Sequence, residues 1–209
     1  MGKITLKWLG HASYKLTFGD WSVVLDPYRD GSVEGLGNIR EEANMVLCSH
    51  GHHDHNAEEL VTITEKEGAP VVIRVDSFHD NEGGEKRGPN AITVFEYDGI
   101  RIGHFGDLGH KLTDEQLEKI GKLDLAMIPV GGFFTIDSPT AKEVAEQLGV
   151  KTIVPMHYRL DGFGFEVLST LDAFTSLFSD VKYAEASEIV VDENTPRGVL
   201  VLTPALAGK

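Results

Sequence analysis

Four histidines and one aspartate lie within seven consecutive residues of this chain, in the segment SHGHHDH at positions 49–55. Neutral imidazole binds Zn, Cu, Fe and Ni in proteins, and a carboxylate oxygen extends the range to harder cations. The segment follows the apolar run MVLC at positions 45–48, which is typical of a short buried strand. A single histidine is most often structural or solvated, but this density of ligand atoms after a strand indicates a metal site.

Three further candidate ligands stand just after predicted strands elsewhere in the chain. Loops that follow strands of one sheet can meet at a common edge, so residues far apart in sequence can share one site. Each of these residues alone is equally well explained as a core or surface residue, and only their conjunction carries the inference. The pairs are strand 71–75 with His79, strand 100–105 with Asp107, and strand 150–156 with His157.

The hydrophobic pattern predicts the elements that must position these residues. An Asn56/Glu59 capping box predicts a helix over 56–67, and Thr113 with Gln116 predicts another that ends at Gly121. Strand pairs come first, and strands alternating with helices follow, which favours an α/β (α+β) fold of two packed mixed sheets in one domain over residues 1–209. The other predicted strands are 3–9, 13–18, 21–26, 45–49, 91–97, 123–130, 187–191 and 198–203, the other helices 139–148 and 169–178, and the loops 29–42 and 81–90.

The composition excludes several classes of partner. With 19 Lys and Arg against 33 Asp and Glu, the net charge of −14 argues against nucleic acid, which needs clustered basic residues. The densest basic patch, Glu85-Lys86-Arg87, is interpreted as a solvated loop. No apolar run approaches the ~20 residues that span a bilayer. One cysteine, Cys48, allows no intramolecular disulfide, so we expect a cytoplasmic protein.

The histidine cluster contains the pattern HxHxDH at positions 50–55, and it resembles the signature of the metallo-β-lactamase superfamily. The resemblance extends to SFHD at 77–80, HFGD at 104–107 and PMHY at 155–158, which occur in the order of the superfamily's later metal motifs. It implies a four-layer αββα sandwich, the metallo-β-lactamase fold, with a two-metal site along one edge of the sheets. Three shorter matches, WLGHAS at 8–13, GDLGH at 106–110 and IPVGG at 128–132, resemble the branch of ascorbate-6-phosphate-lactonase-like proteins.

The resemblance also implies a division of the ligands between two divalent ions. Zinc is the first expectation, and Mn, Fe or Ni are alternatives because these ligands suit them all. Three imidazoles and a carboxylate around an ion leave an open position, which is typical of catalytic sites. The implied sets are His50, His52 and His79 for the first ion, Asp54, His55 and His157 for the second, and Asp107 between the two.

The function implied is that of a binuclear metal-dependent hydrolase, in which a metal-bridging hydroxide attacks a small anionic substrate. A phosphodiester and a lactone are both candidate substrates. Asp54 is expected to orient the attacking water, and His11 to donate a proton, although a hydrogen-bonded turn histidine is an equal alternative. An RNA-processing nuclease and a non-hydrolytic di-metal sensor or redox protein remain alternatives. No nucleic-acid or membrane partner is expected, and edge strands near the C-terminus could pair in a homo-oligomer.

A few residues near the predicted ligands have open roles. Asp26, at the end of a strand, is either a partner of a metal-bound imidazole or a capping carboxylate. The loop 131–135 is interpreted as a flexible segment with apolar tips over the site, and a plain surface turn is the alternative. His53 is left out of the ligand set, His104 is expected in the core, and His110 and Tyr158 are candidate substrate contacts.

Overall fold

The structure is a computed structural model that describes residues 3–209, and most of its strands belong to two sheets. One sheet has five strands in the order β13-β1-β2-β3-β5, and the other has seven in the order β12-β14-β11-β10-β9-β8-β7. The strands are β1 Ile4–Gly10, β2 Ser13–Phe18, β3 Trp21–Leu25, β4 Glu41–Ala43, β5 Met45–Leu47, β6 Val61–Ile63, β7 Val71–Phe78, β8 Pro89–Tyr97, β9 Ile100–His104, β10 Leu125–Pro129, β11 Thr152–Met156, β12 Val181–Tyr183, β13 Glu188–Val191 and β14 Gly198–Val201. The helices are α1 Asp114–Ile120, α2 Ser138–Leu148 and α3 Leu171–Thr175.

The two sheets differ in how their strands are buried. In the five-stranded sheet, β1 reads ITLKWLG and its first residues alternate between buried and half-buried, as expected for a strand with one face on the core. In the seven-stranded sheet, β10 (LAMIP) and β11 (TIVPM) pair in parallel and are buried at every position. Parallel strands need crossover connections that cover the faces of the sheet, which explains their continuous apolar sequences.

The core lies between the two sheets. Phe18 of β2 and Phe95 of β8 bring strands of different sheets together, with ring centroids 5.4 Å apart. Helix α2 packs on β10, and α1 packs on β7, so both cover the seven-stranded sheet. These observations confirm the predicted mixed α/β fold of two packed sheets.

The ends of four strands deliver the predicted ligands to one place. The histidine cluster follows β5, His79 comes directly after β7, Asp107 follows β9, and His157 comes directly after β11. The four segments come from both sheets, so the site lies where the sheets share an edge.

The helix predicted over 56–67 is wrong. The chain forms a single 3-10 turn at Glu58–Leu60 and then the strand β6, which pairs in parallel with β4. Asn56 does not cap a helix, because its side-chain amide donates to the carbonyl of Gly51 and closes the histidine loop. The β-branched residues in the sequence VTIT at 61–64 favour a strand, and they outweigh the apparent capping box.

Other differences from the prediction are smaller. The loop predicted over 29–42 contains the start of β4, and β12 was not predicted. Helix α3 is shorter than 169–178 and continues as turns in which Leu177 and Phe178 donate to carbonyls three residues earlier. Asp137 caps α2, with its side chain accepting from the backbone N–H of Thr140. Among residues 3–209, no helix is long and apolar enough to cross a membrane.

Candidate metal centre

The carboxylate of Asp107 lies at the centre of the predicted ligand set. Its Oδ2 atom is 3.0 Å from Nε2 of His79 and 3.2 Å from Nε2 of both His55 and His157. The Nε2 atom of His50 is 3.8 Å away. Four imidazoles from three separate segments therefore point at one carboxylate oxygen.

Several of these ligand atoms are buried without a hydrogen-bond partner. Within the described residues, Nε2 of His50, His55 and His157 and Oδ1 of Asp107 make no hydrogen bond. A buried polar atom without a partner costs about 1–3 kcal/mol, and such atoms rarely cluster unless something else binds them. The donor set of imidazole nitrogen and carboxylate oxygen fits divalent transition metals. The arrangement therefore fits the metal ions that the sequence predicts.

The ligand atoms fall into two main groups, each with its atoms within 4.8 Å of one another. The first group contains His50, His52 and His79, which are half-buried, exposed and buried respectively. The members of the second group are all buried, and they are His11, Asp54, His55 and His157. The structure thus places the residues of each predicted half close together and places His11 beside those of the second.

Asp26 supports both groups from behind. Its Oδ1 accepts from the backbone N–H of Ser49 at 2.6 Å. Its Oδ2 accepts from the Ser49 hydroxyl at 2.6 Å and from Nδ1 of His55 at 2.7 Å. Since the hydroxyl gives its proton to Asp26, it must accept from Nδ1 of His50, 2.9 Å away. Both imidazoles therefore carry a proton on Nδ1 and direct Nε2 toward Asp107.

His11 is fully buried beside the second group. Its Nε2 is 3.3 Å from Oδ2 of Asp54, and its ring centroid is 4.0 Å from that of His157. The indole N–H of Trp8 donates to the His11 carbonyl at 3.0 Å, which fixes the turn after β1. The predicted proximity of His11 to the metal edge is thus present in the structure.

The electrostatics of the centre keep the carboxylates ionised. Burial opposes the charge on Asp107, but the neighbouring charges of His157 and His55 outweigh it and hold its pKa well below the ordinary value. Burial likewise opposes the charge on Asp54, and the hydrogen bond with His11 then lowers its pKa below the ordinary range. Ionised carboxylates are the form that binds cations.

The pKa values of the histidines shift in different directions, depending on which groups surround each imidazole. Burial lowers the pKa of His50 to about 3 and that of His11 to about 4, which keeps both imidazoles neutral. Burial also opposes the charge on His55, but Asp107 and Asp26 raise its pKa well above the ordinary value. A metal ion binds the neutral imidazole, so an ion at His55 must displace a proton.

Unusual backbone conformations concentrate around the centre. His11, Asp26 and His157 have φ values of 54°, 43° and 55°, in the left-handed region that ordinary residues seldom occupy. Such strain costs about 1–3 kcal/mol per residue and clusters at functional sites. Position 109 requires glycine because two backbone segments approach closely there. A Cβ at Gly109 would lie 2.2 Å from the backbone nitrogen of Asp80, next to His79.

Asn90 is a supporting residue that the sequence did not indicate. Its side chain accepts from the backbone N–H of Asp107 at 2.9 Å and donates to the carbonyl of Phe105 at 3.0 Å. It also donates to the hydroxyl of Ser77 at 2.8 Å. Asn90 therefore ties the segment that carries Asp107 to β7. No local pattern marks it, because it starts a strand at the end of a polar loop.

The remaining predicted residues have mixed outcomes. His104 is a core residue, as expected, and its Nε2 bonds to the carbonyl of Ala12 at 2.9 Å. His110 accepts from the backbone N–H of Phe78 and contacts the carbonyl of Lys111, so both ring nitrogens are used structurally. Tyr158 is buried against Trp8, with ring centroids 5.6 Å apart.

A cavity of about 340 Å³ opens beside the ligands. Phe134 of the predicted loop 131–135 lies on its wall, and so do His53 and Phe165. Arg87 also lines it, which the interpretation of 85–87 as a solvated loop did not indicate. The remaining lining residues are His52, Asp54, His79 and Asp107.

Comparison with known proteins connects this centre to a family. The family model described as "Beta-lactamase superfamily domain" matches residues 5–157. A protein of Methanoregula boonei named "UPF0173 metal-dependent hydrolase" is 31% identical over 189 residues, covering 73% of this chain and 81% of the relative. A protein of the same name from Thermococcus onnurineus is 28% identical over 191 residues, covering 74% of this chain and 84% of the relative.

Solved structures give the same picture. A crystal structure from Thermotoga maritima, described as a candidate Zn-dependent hydrolase of the metallo-β-lactamase superfamily, is 33% identical with a TM-score of 0.77. The match covers 95% of this chain and 98% of that one. A metallo hydrolase from Ignicoccus hospitalis is 17% identical with a TM-score of 0.60, covers 80% of this chain and 86% of its own, and shows the fold alone. The predicted superfamily fold is thus confirmed, and the narrower lactonase-like branch stays a prediction.

Proposed function

The chain belongs to the metallo-β-lactamase superfamily, with relatives named as UPF0173 metal-dependent hydrolases, and from this premise we propose a binuclear metal-dependent hydrolase of a small anionic substrate. The observation that carries the proposal is the position of Asp107. Its Oδ2 lies within 3.2 Å of Nε2 of His55, His79 and His157, and within residues 3–209 the Nε2 atoms of His55 and His157 have no hydrogen-bond partner.

We assign the ligands to two ions by these groups. The first ion takes His50, His52 and His79, the second takes Asp54, His55 and His157, and Asp107 is shared. Divalent ions held there would supply a water nucleophile of lowered pKa and positive charge to stabilise the transition state. Zinc is the first candidate, and Mn, Fe and Ni share its ligand preferences.

Asp54 and His11 are the proposed proton-transfer groups. Asp54 is ionised, and its Oδ2 atom faces Nε2 of His11 at 3.3 Å. In this proposal Asp54 orients the attacking water and accepts its proton, the neutral imidazole of His11 takes that proton from Asp54, and His11 then gives it to the leaving group. Because His11 also lies within ligand distance of the second group, a role as a further metal ligand is the competing assignment.

The substrate is proposed to be small, because the cavity beside the ligands holds only about 340 Å³. A phosphodiester or a lactone supplies the electrophilic centre that such a site hydrolyses, and a lactone agrees with the lactonase-like motifs. The net charge of −14 favours a small ligand over RNA. A cytoplasmic location and pairing through edge strands remain predictions from the sequence.

The test is metal analysis combined with a small panel of phosphodiester and lactone substrates. Asp107→Ala should lose bound metal at both positions and lose hydrolysis, and His52→Ala should lose metal at the first position. His110→Ala is the matched control, because this histidine bonds only to backbone atoms. Retention of metal and hydrolysis by both ligand variants would refute the proposal. An absorption band from ferric ions, without turnover, would support the non-hydrolytic alternative instead.

A further inference from the structure

The cavity beside the metal centre combines one cation with apolar walls. Arg87 is the only lysine or arginine among its lining residues, in a chain whose net charge is −14. Phe134 and Phe165 supply aromatic surface, and both are half-buried. The cavity therefore offers a positive group and two aromatic rings next to the ligand atoms of His79 and Asp107.

Arg87 is held in place by its own loop. The buried carboxylate of Asp80, directly after the ligand His79, accepts hydrogen bonds from the backbone N–H groups of Glu82, Gly84, Lys86 and Arg87 at 2.8 to 3.0 Å. The loop is thus wrapped around a fixed anion, and the arginine at its end has a defined position relative to His79.

The guanidinium of Arg87 is oriented by one hydrogen bond, and its other N–H groups make none within residues 3–209. One Nη2 N–H donates to the carbonyl of Phe133 at 2.9 Å, and Cζ lies 5.9 Å from the ring centroid of Phe134. A guanidinium has five N–H donors in a planar fork that matches carboxylate and phosphate oxygens. The single bond to Phe133 leaves the other donors for a ligand in the cavity.

The two phenylalanines form a continuous aromatic wall that reaches the catalytic groups. Phe134 and Phe165 meet edge to face with centroids 5.9 Å apart. Phe165 in turn meets the ring of His11 at 5.3 Å, with an interplanar angle of 90°. A flat apolar group packed on this wall would lie beside His11, the proposed proton donor.

We propose that this cavity selects substrates in which a flat apolar group, such as an aromatic ring, carries a carboxylate or phosphate. Arg87 binds the anion, and Phe134 with Phe165 pack on the ring. Asp80 is a positioning residue that fixes Arg87 relative to the ligand His79. This inference rests on the proposed hydrolase function for the identity of the site, but it is tested by binding alone.

The experiment measures binding of unreactive probes to the metal-loaded protein by titration calorimetry. The probes are two matched pairs, benzoate with acetate and phenylphosphonate with methylphosphonate, and neutral benzyl alcohol. In the unaltered protein we expect the ring-bearing member of a pair to bind at least about tenfold more tightly, because it buries apolar area. If the affinity of the carboxylate pair falls more when Arg87 is changed, the preferred anion is a carboxylate. If the affinity of the phosphonate pair falls more, it is a phosphate.

Two variants test the two halves of the proposal, each with a matched control. Arg87→Gln should weaken both anions of at least one pair about tenfold, since a charge-assisted hydrogen bond is lost, and should leave benzyl alcohol within twofold. Phe134→Leu should reduce the advantage of the ring without changing acetate or methylphosphonate. Arg40→Gln removes an exposed arginine paired with Asp30, and Tyr183→Leu removes an exposed ring that does not line the cavity, so neither should change binding.

Several results would overturn the proposal. Equal weakening of benzyl alcohol and the anions in Arg87→Gln would mean that this residue only holds the loop to Phe133. If Phe134→Leu still bound the ring-bearing probes more tightly by the same factor, the aromatic wall would have no role in binding. If Arg87→Gln loses metal or melts early, Asp80→Asn replaces it as a test of the position of Arg87, and unaltered anion binding in that variant would count against Arg87. Failure of the substrate panel with intact probe binding would instead refute the hydrolase proposal alone.

Discussion

The two ligand groups of the metal centre differ in how deeply they belong to the fold. In the first group, His52 is exposed and His50 is half-buried. In the second group, His11, His55 and His157 are fully buried. The first group therefore reaches the surface through His52, whereas the second group is buried and contributes only Asp54 to the cavity wall.

The support behind the two groups differs in the same way. His55 donates directly to Asp26, whereas His50 reaches Asp26 only through the Ser49 hydroxyl. His79 has no such support, because its Nδ1 makes no hydrogen bond within the described residues. We expect substitution of a buried, hydrogen-bonded ligand to lower the stability of the fold, and substitution of an exposed ligand to weaken only metal binding. The following predictions test that difference.

The largest effect is expected at His11, the member of the second group that the sequence linked to proton transfer. His11→Gln should lower kcat by about 10²–10⁴, the usual contribution of a positioned general acid or base. Metal content should stay at the unaltered value, and His110→Gln should change neither quantity. Loss of one ion per chain in His11→Gln would instead make this residue a ligand. Steady-state kinetics on the best substrate of the panel and metal analysis provide both measurements.

The next effect concerns the stability of the metal-free protein. His55→Ala leaves the carboxylate of Asp26 buried without its charged partner, which costs about 3–5 kcal/mol in the free energy of unfolding. His52→Ala removes an exposed side chain and should stay within about 0.5 kcal/mol. Denaturant unfolding after removal of metal measures both values. Equal losses in the two variants would show that the groups do not differ in their contribution to the fold.

The sequence places the candidate ligands after strands, and the structure has strands there, because strand ends are local features. An apolar run such as MVLC followed by histidines, or β11 followed by His157, marks both the strand and the loop that leaves it. The failure at 56–67 has a physical cause as well. Asn56 and Glu59 have the spacing of a capping box, but Asn56 bonds to Gly51 inside the histidine loop, and the β-branched residues that follow form β6.

Contacts between distant segments lay beyond such reasoning. His11 joins the second group because the backbone N–H of His157 donates to the His11 carbonyl at 3.4 Å, across 146 positions of the chain. Arg87 lines the cavity because Asp80 gathers its loop, and the composition of that loop indicated only solvation. Both facts depend on how the sheets pack, and no periodicity in the sequence records that packing.

The smallest expected effect separates the two supports of the ligands. Asp26→Asn should weaken metal binding at both positions by about 10–100-fold, because it changes the partner of His55 and, through Ser49, that of His50. Ser49→Ala removes only the hydroxyl between Asp26 and His50 and keeps the backbone bond to Asp26. It should therefore weaken only the first position, by less than Asp26→Asn does.

Competition with a metal-binding dye gives two affinities per chain, and their separate changes decide the outcome. If Ser49→Ala weakened metal binding at both positions, the two groups would be coupled through Asp107, and their separate hydrogen bonds to Asp26 would not make them independent. A loss at the first position alone would mean that Asp26 acts on the groups through separate hydrogen bonds. The same carboxylate would then hold His50 indirectly, through a hydroxyl, and His55 directly.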